Sequence, residues 1–152
     1  MRLVRATAAE TPAMAAAHAQ AFDKPWREDE FEDLLEGEGI FGFLADEDET
    51  PLGVILCRIA ADEMEVLTVG VTPAARRRGV GLALMTAALE TARRKTVASA
   101  FLEVAVDNPG AIALYAALGF RQAGVRRAYY HRGEAGTADA LVMRLDLNLM
   151  AA

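Results

Sequence analysis

Val71-Thr-Pro-Ala-Ala-Arg76-Arg77-Arg78-Gly79-Val80-Gly81-Leu82 joins an apolar strand to a long helix and sets three arginines where that helix begins. A helix N-terminus carries roughly half a positive charge, so each cation placed there loses about 0.3–1 kcal/mol instead of gaining it. A bound anion removes the conflict. First-turn amides without intrahelical partners, glycines that let a ligand approach the backbone, and guanidinium forks together make a phosphate cradle. The bland alternative is a solvated arginine cluster in a loop.

Working outward, the helix is expected from Val80 to Arg94, with Leu82, Met85, Leu89 and Ala92 on one face and Leu84 and Ala88 beside them. Arg93, Arg94 and Lys95 close it with the sign the dipole favours. Upstream, Arg2 to Ala6 reads as a strand, and Thr11 before Pro12 reads as the cap and first-turn proline of a helix ending near Phe22. A second helix covers Glu28 to Glu36 and stops at Gly37. Strands at Phe41 to Asp46 and Leu52 to Ile59 form a hairpin, and Met64 to Val71 leads into the arginine loop. Downstream come a strand at Ala100 to Val106, a helix from Asn108-Pro109 to Gly119, and strands at Phe120 to Arg127 and Leu141 to Leu147 around a polar loop. The order βααβββαβαββ combines hairpins with a β-α-β crossover, which predicts an α/β (α+β) fold on a mixed sheet.

The chain has 152 residues, 53% of them hydrophobic, and reads as a single domain, residues 1–152, without repeat or linker. No apolar run approaches the ~18–20 residues of a membrane span. The beginning, Met1-Arg-Leu-Val-Arg-Ala, lacks the apolar segment of a signal peptide. One cysteine, Cys57, allows no intrachain disulfide and points to a reducing, cytoplasmic setting. It lies in an apolar run and reads as core filler. The net charge of −6 hides an asymmetry: 5 Lys and Arg against 16 Asp and Glu up to Ala75, then 11 against 6. An acidic front and a basic back suit a cationic substrate and a polyanionic cosubstrate. No basic stripe interleaved with aromatics argues for nucleic acid.

Three residues are misfits in their elements. Glu103 interrupts the apolar strand Phe101-Leu-Glu-Val-Ala-Val, where a carboxylate buried without partners costs several kcal/mol. It is expected to line a wet cavity; the alternative is a solvent-facing strand position. Tyr115 sits in a small-sided helix, Ala111-Ile-Ala-Leu-Tyr-Ala-Ala-Leu, with room for its phenol to project, although a buried tyrosine commonly satisfies one hydrogen bond and does nothing more. Gly70 weakens the strand Val66-Leu-Thr-Val-Gly-Val, as glycines do at bulges and close approaches. His18 and His131 are not spaced as metal ligands and read as structural or surface residues.

From Val69 to Phe120 the chain resembles the GNAT superfamily of N-acetyltransferases, with Arg76-Arg77-Arg78-Gly79-Val80-Gly81 matching the acetyl-CoA signature Q/R-x-x-G-x-G/A. Within it the likeness is closer to the RimI-type ribosomal-protein alanine N-acetyltransferases. Ala21-Phe22 with Pro25-Trp26, Leu102-Glu103-Val104, Asn108 with Ala111 to Tyr115, Leu118-Gly119-Phe120, Arg126-Arg127 with Tyr129-Tyr130, and Asp139-Ala140 with Met143 carry it across almost the whole chain. The resemblance implies a strongly twisted sheet of about seven strands with four helices. It implies that backbone groups of Val69, Gly70 and Val71 pair with the pantetheine arm and that amides from Arg77, Arg78, Gly79, Val80, Gly81 and Leu82 hold the pyrophosphate. It further implies that Asn108 contacts the pantetheine, with capping of the next helix as the alternative reading of that residue, that Glu103 is the general base and that Tyr115 is the general acid. Trp26 and the acidic helix shape the acceptor entrance, opposite a flap at Tyr129-Tyr130. Thr68, Ala128, His131 and Ala138 depart from the residues usual there, mostly on the acceptor side.

The resemblance thus implies acetyl-CoA as cosubstrate, no metal, and the N-terminal amine of a protein, a basic ribosomal one, as acceptor. Proton chemistry favours the same acceptor. An α-amine with a pKa near 7.7–8.0 loses its proton at pH 7 for about 1 kcal/mol, and a lysine near 10.4 for roughly 4.6. One carboxylate is adequate for the first. Acetylation of a small cationic amine or a lysine, and a non-catalytic acyl-CoA-binding module, stay open at this level.

Overall fold

The computed structural model describes residues 1–131 and 136–148. Seven strands, β1 (Arg2–Arg5), β2 (Ile40–Glu47), β3 (Thr50–Ala60), β4 (Glu63–Val71), β5 (Ser99–Ala105), β6 (Arg121–His131) and β7 (Thr137–Asp146), alternate with helices α1 (Thr11–Ala21), α2 (Glu28–Leu35), α3 (Val80–Arg94) and α4 (Pro109–Ala117). This is the element order expected from the sequence. The strands form one sheet in the order β1-β2-β3-β4-β5-β7-β6, antiparallel except where β4 meets β5. The sheet is therefore mixed, as the hairpins and the single crossover through α3 required.

Alternation along β3 explains its two covered faces. Val54 and Leu56 pack with Met14 and Ala17 of α1, Phe31 of α2 and Leu44. Ile55 and Cys57 face the other way, into the larger core with Val80, Leu84, Met85, Ala88 and Leu89 of α3 and Leu102, Val104 and Tyr115. Leu82, expected on the apolar face, is instead 48% exposed, because the buried stripe of α3 runs through Val80, Leu84, Met85, Ala88 and Ala92. Cys57 is fully buried, and desolvation pushes its thiol pKa far up, so it behaves as packing. Among the described residues no helix is long and apolar enough to cross a membrane.

The start of the first helix differs from expectation. Thr11 does not cap it; its hydroxyl donates to the Ala8 carbonyl at 2.9 Å. Thr7 does the capping four residues earlier, over a short 3-10 turn at Ala8–Glu10 that runs into α1, with Glu10 accepting from the Thr7 amide at 2.8 Å. Thr7-x-x-Glu10 is a capping box, a signal visible in the sequence that the adjacent Thr-Pro pair masked. The last two strands also run further than expected, through Tyr129-Tyr130 and from Thr137, so only the middle of the anticipated polar loop, residues 132–135, lies outside the described residues.

Candidate active site

Two irregularities in the sheet create the site. In β4, Leu56 pairs with Thr68 and Cys57 with Val66, so Leu67 is an extra residue, a bulge. A bulge bends and twists its strand, and β4 stays hydrogen-bonded to β5 only from Glu63↔Ser99 to Glu65↔Phe101. Beyond Glu65 the two strands part. The backbone of Val69 to Val71 keeps its β3 partners on one edge and faces the gap with the other. The extra residue also shifts the alternation, so that Leu67 and Thr68 both turn toward α1. Gly70 follows Thr68 to that side, where a Cβ would stand 2.6 Å from the Phe22 ring. Its lack of a side chain therefore answers a close approach by Phe22; the bulge lies three residues earlier.

His18 locks the loop that carries Phe22 and Trp26. The Trp26 amide donates to Nδ1 at 3.0 Å, so Nε2 bears the ring proton and donates to Thr68 Oγ1 at 2.9 Å. Phe22 stacks on the imidazole at 4.3 Å between centroids, and Trp26 at 5.2 Å. Burial lowers the pKa of His18 to about 4, against a weaker upward pull from Glu30. Because the folded value lies below the unfolded 6.5, the unfolded chain binds the proton first as pH falls, and stability drops between about 6.5 and 4. Roughly 2 kcal/mol is expected to be lost from pH 7.5 to 5. Urea titrations should show this pH dependence in the wild type and not in His18→Gln.

At the head of α3 the structure supplies what an anion needs. Gly79, at φ 79°, precedes the helix with no side-chain cap, and the first intrahelical bond runs from the Ala83 amide to the Gly79 carbonyl at 3.0 Å. The amides of Val80, Gly81 and Leu82 thus open the helix without i−4 partners. A Cβ on Gly79 would meet nothing within 4 Å, so the approach is open, whereas one on Gly81 would press on Leu114 at 3.2 Å. Gly81 therefore lets α3 pack beside α4. The three arginines differ: Arg78 binds Glu47 at 2.8 Å, Arg76 Nε reaches the Val71 carbonyl at 3.4 Å, and Arg77 is exposed at φ 64°. Asn108 accepts from the Ala111 amide at 3.2 Å and caps α4.

The candidate acid and base lie on either side of β5. Leu102 and Val104 face α3, and Glu103 faces the opposite side with Phe101. There a cavity of about 290 Å³ is lined by Arg58, Glu63, Glu65, Phe101, Glu103 and Val142, the wet environment expected for a carboxylate in this strand. Arg126 Nη1 donates to Glu103 Oε1 at 2.7 Å. Tyr115 belongs to the α3-side core, and burial, with the nearby Tyr130 adding to it, pushes its phenol up to about 12. It is protonated at any working pH and can donate.

β6 has its own distortion beside Glu103. Arg126 pairs with Ala140 and Tyr130 with Ala138, so three residues of β6 oppose Asp139 alone. Ala128 takes φ 52° at the centre, and its amide donates to Asp139 Oδ1 at 2.7 Å. A left-handed alanine costs about 1–2 kcal/mol, a cost that glycine or asparagine would lower at this position. The bulge turns Tyr129 outward, 44% exposed. The side chain of His131 lies outside the described residues.

The acetyltransferase (GNAT) family model matches residues 11–120. The chain belongs to the GNAT acetyltransferases. As a member it is an acyltransferase, with the fold expected from the signature at Arg76 to Gly81. The [ribosomal protein bS18]-alanine N-acetyltransferase of Escherichia coli K12 is 33% identical over 131 residues, 86% of either chain. The N-alpha-acetyltransferase RimI of Mycobacterium tuberculosis is 45% identical over 84 residues, 55% of this chain and 49% of its own. The crystal structure of the ribosomal-protein-S18-alanine N-acetyltransferase from Escherichia coli superposes with a TM-score of 0.89 at 29% identity, covering 96% of this chain and 93% of that one.

Proposed function

We propose that this GNAT acetyltransferase moves the acetyl group of acetyl-CoA to the α-amine of an N-terminal alanine, or a similarly small residue, of a basic ribosomal protein. The observation that carries this reading is the partly exposed carboxylate of Glu103, just past the last β4–β5 pair, lining one cavity with Glu63 and Glu65. That provision fits an amine that is already close to neutrality at pH 7. The names of the relatives, at up to 33% identity over 86% of the chain, support the acceptor.

In this reading the pyrophosphate rests on the uncapped amides at Gly79 to Leu82, and the pantetheine pairs with the free edge of Val69 to Val71 as an added strand would. Replacing Gly79 with aspartate, which tolerates a left-handed backbone, puts a negative charge at the opening. Calorimetry should show at least a tenfold weaker acetyl-CoA affinity in Gly79→Asp and a smaller loss in the neutral Gly79→Asn. Equal losses would place the pyrophosphate elsewhere.

The amine nitrogen attacks the thioester carbon directly. Glu103 takes the proton the nitrogen sheds, itself or through one water, and a strand amide near Val69 steadies the oxyanion. As the carbon–sulfur bond breaks, the thiolate takes the Tyr115 proton, giving acetylated amine and free CoA thiol. Following that thiol with peptides beginning Ala, Ser or Gly, and separately with spermidine, tests the assignment. Alanine peptides are expected to turn over fastest; spermidine alone reacting would replace the protein acceptor with a small cation, and no thiol from any amine would contradict a transferase role.

A further inference from the structure

Glu103 is already engaged in the free protein. The Arg126 guanidinium, projecting from β6 on the same face, reaches it across β7, where Val142 pairs with Glu103 and Ala140 with Arg126. Its Nη1 lies 2.7 Å from Oε1, with the arginine side chain 55% exposed and the carboxylate 26%. The guanidinium is thus the more exposed partner of the pair. An acceptor ammonium bound for Glu103 and the arginine compete for one carboxylate.

We propose that Arg126 is a positioning residue that holds the place of the acceptor's ammonium at Glu103 and gives way to it, so that Arg126 sets how tightly an amine acceptor binds. This rests on Glu103 being the base in the reading above. Three observations carry it. The bond is of charge-assisted length, so the carboxylate is oriented while it waits. The displaced cation has somewhere to go, since the same guanidinium already lies 4.4 Å over the ring of Tyr129, a cation–π partner on the neighbouring flap. The backbone beside it is pinned by the Ala128 amide on Asp139, so the exchange needs only rotation of the arginine side chain.

The surroundings limit which charge can take over. Glu63 and Glu65 of β4 face the same cavity, with Glu65 already bound to Arg58 of β3 at 3.1 Å. On β7, Arg144 is held by Asp146 at 3.1 Å and lies 5.3 Å from the Phe101 ring. The phenol of Tyr129, under the Arg126 guanidinium, and that of Tyr130 beside it complete the neighbourhood. Among these, Arg126 is the cation bonded to Glu103, and its departure leaves a net negative pocket that favours an amine still carrying its proton. The acceptor is thus drawn in as ammonium and loses its proton where the carboxylate has just been freed.

The test compares wild type, Arg126→Gln and Arg126→Lys. Calorimetry measures binding of an N-terminal alanine peptide to protein saturated with CoA, a complex that cannot react, and thiol release gives KM and kcat with acetyl-CoA. Arg126→Gln is expected to tighten peptide binding about fivefold, the scale of a half-exposed ion pair, and to lower KM accordingly, with the change in KM exceeding that in kcat. Arg126→Lys, which keeps a competing cation, should stay near wild type. Peptide turnover with equal or weaker binding in Arg126→Gln would overturn this inference and leave the transferase reading standing. If spermidine, and not the peptide, binds more tightly to Arg126→Gln, the displacement stands and the alanine acceptor falls. Neither ligand responding would overturn the displacement.

Discussion

Glu103→Gln is expected to lower kcat toward an alanine peptide by about 10²–10⁴-fold, the range of a lost general base, while acetyl-CoA binds almost as before. Glu103 faces the 290 Å³ cavity and away from α3, so the amide should leave the cradle at Gly79 to Leu82 undisturbed. The deficit should widen toward low pH. Wild type binds the abundant ammonium form and removes its proton in place. The variant waits for amine neutralised in solution, a fraction that falls tenfold per pH unit below about 7.7. Steady-state rates from pH 6 to 9 would show the widening, and an unchanged rate would remove Glu103 as the base.

Tyr115→Phe is expected to slow release of CoA thiol by about 10²-fold or more. A phenol with its pKa pushed up to about 12 stays protonated through the working range, so its proton is there to be given to the thiolate as the carbon–sulfur bond breaks. Phenylalanine fills the same space beside Phe120, whose ring lies 6.2 Å from that of Tyr115, so the fold should survive the change. Single-turnover measurement of acetylated peptide against free thiol would detect the effect. Wild-type rates in the variant would mean that water or another group protonates the thiolate.

Much of the fold was legible because it rests on local signals. The apolar stripe of α3, the Asn108-Pro109 start of α4 and the alternation of β3 each fix an element without reference to its neighbours, and together they give the order of all seven strands and four helices. The misfit of Glu103 was legible for the same reason, since a charge in an apolar strand stands out wherever the strand packs. Leu67 was not legible as a bulge. Val66-Leu-Thr-Val-Gly-Val alternates no differently with or without an extra residue, and the strand pairing that reveals it is non-local. Gly70 was legible as a bulge or a close approach, and the contact with Phe22 decides for the second.

Partnerships made across the sheet were equally hidden. Glu103 and Arg126 are separated by 23 positions and His18 and Thr68 by 50, and nothing in either segment announces the other. Arg78 was read as open to an anion, yet it binds Glu47 of the β2–β3 hairpin, a long-range ion pair between the acidic and basic portions of the chain. The distortion at Ala128 left a faint trace, a departure from the residue usual there in the resembled family, whose meaning emerges only with the positive φ.

Tandem mass spectrometry on one peptide tests the account most directly. A peptide beginning with alanine and containing an internal lysine, incubated with acetyl-CoA and the protein, is expected to carry one acetyl group, on the alanine nitrogen. Acetylation of the lysine in its place, or a peptide recovered unmodified, would contradict it.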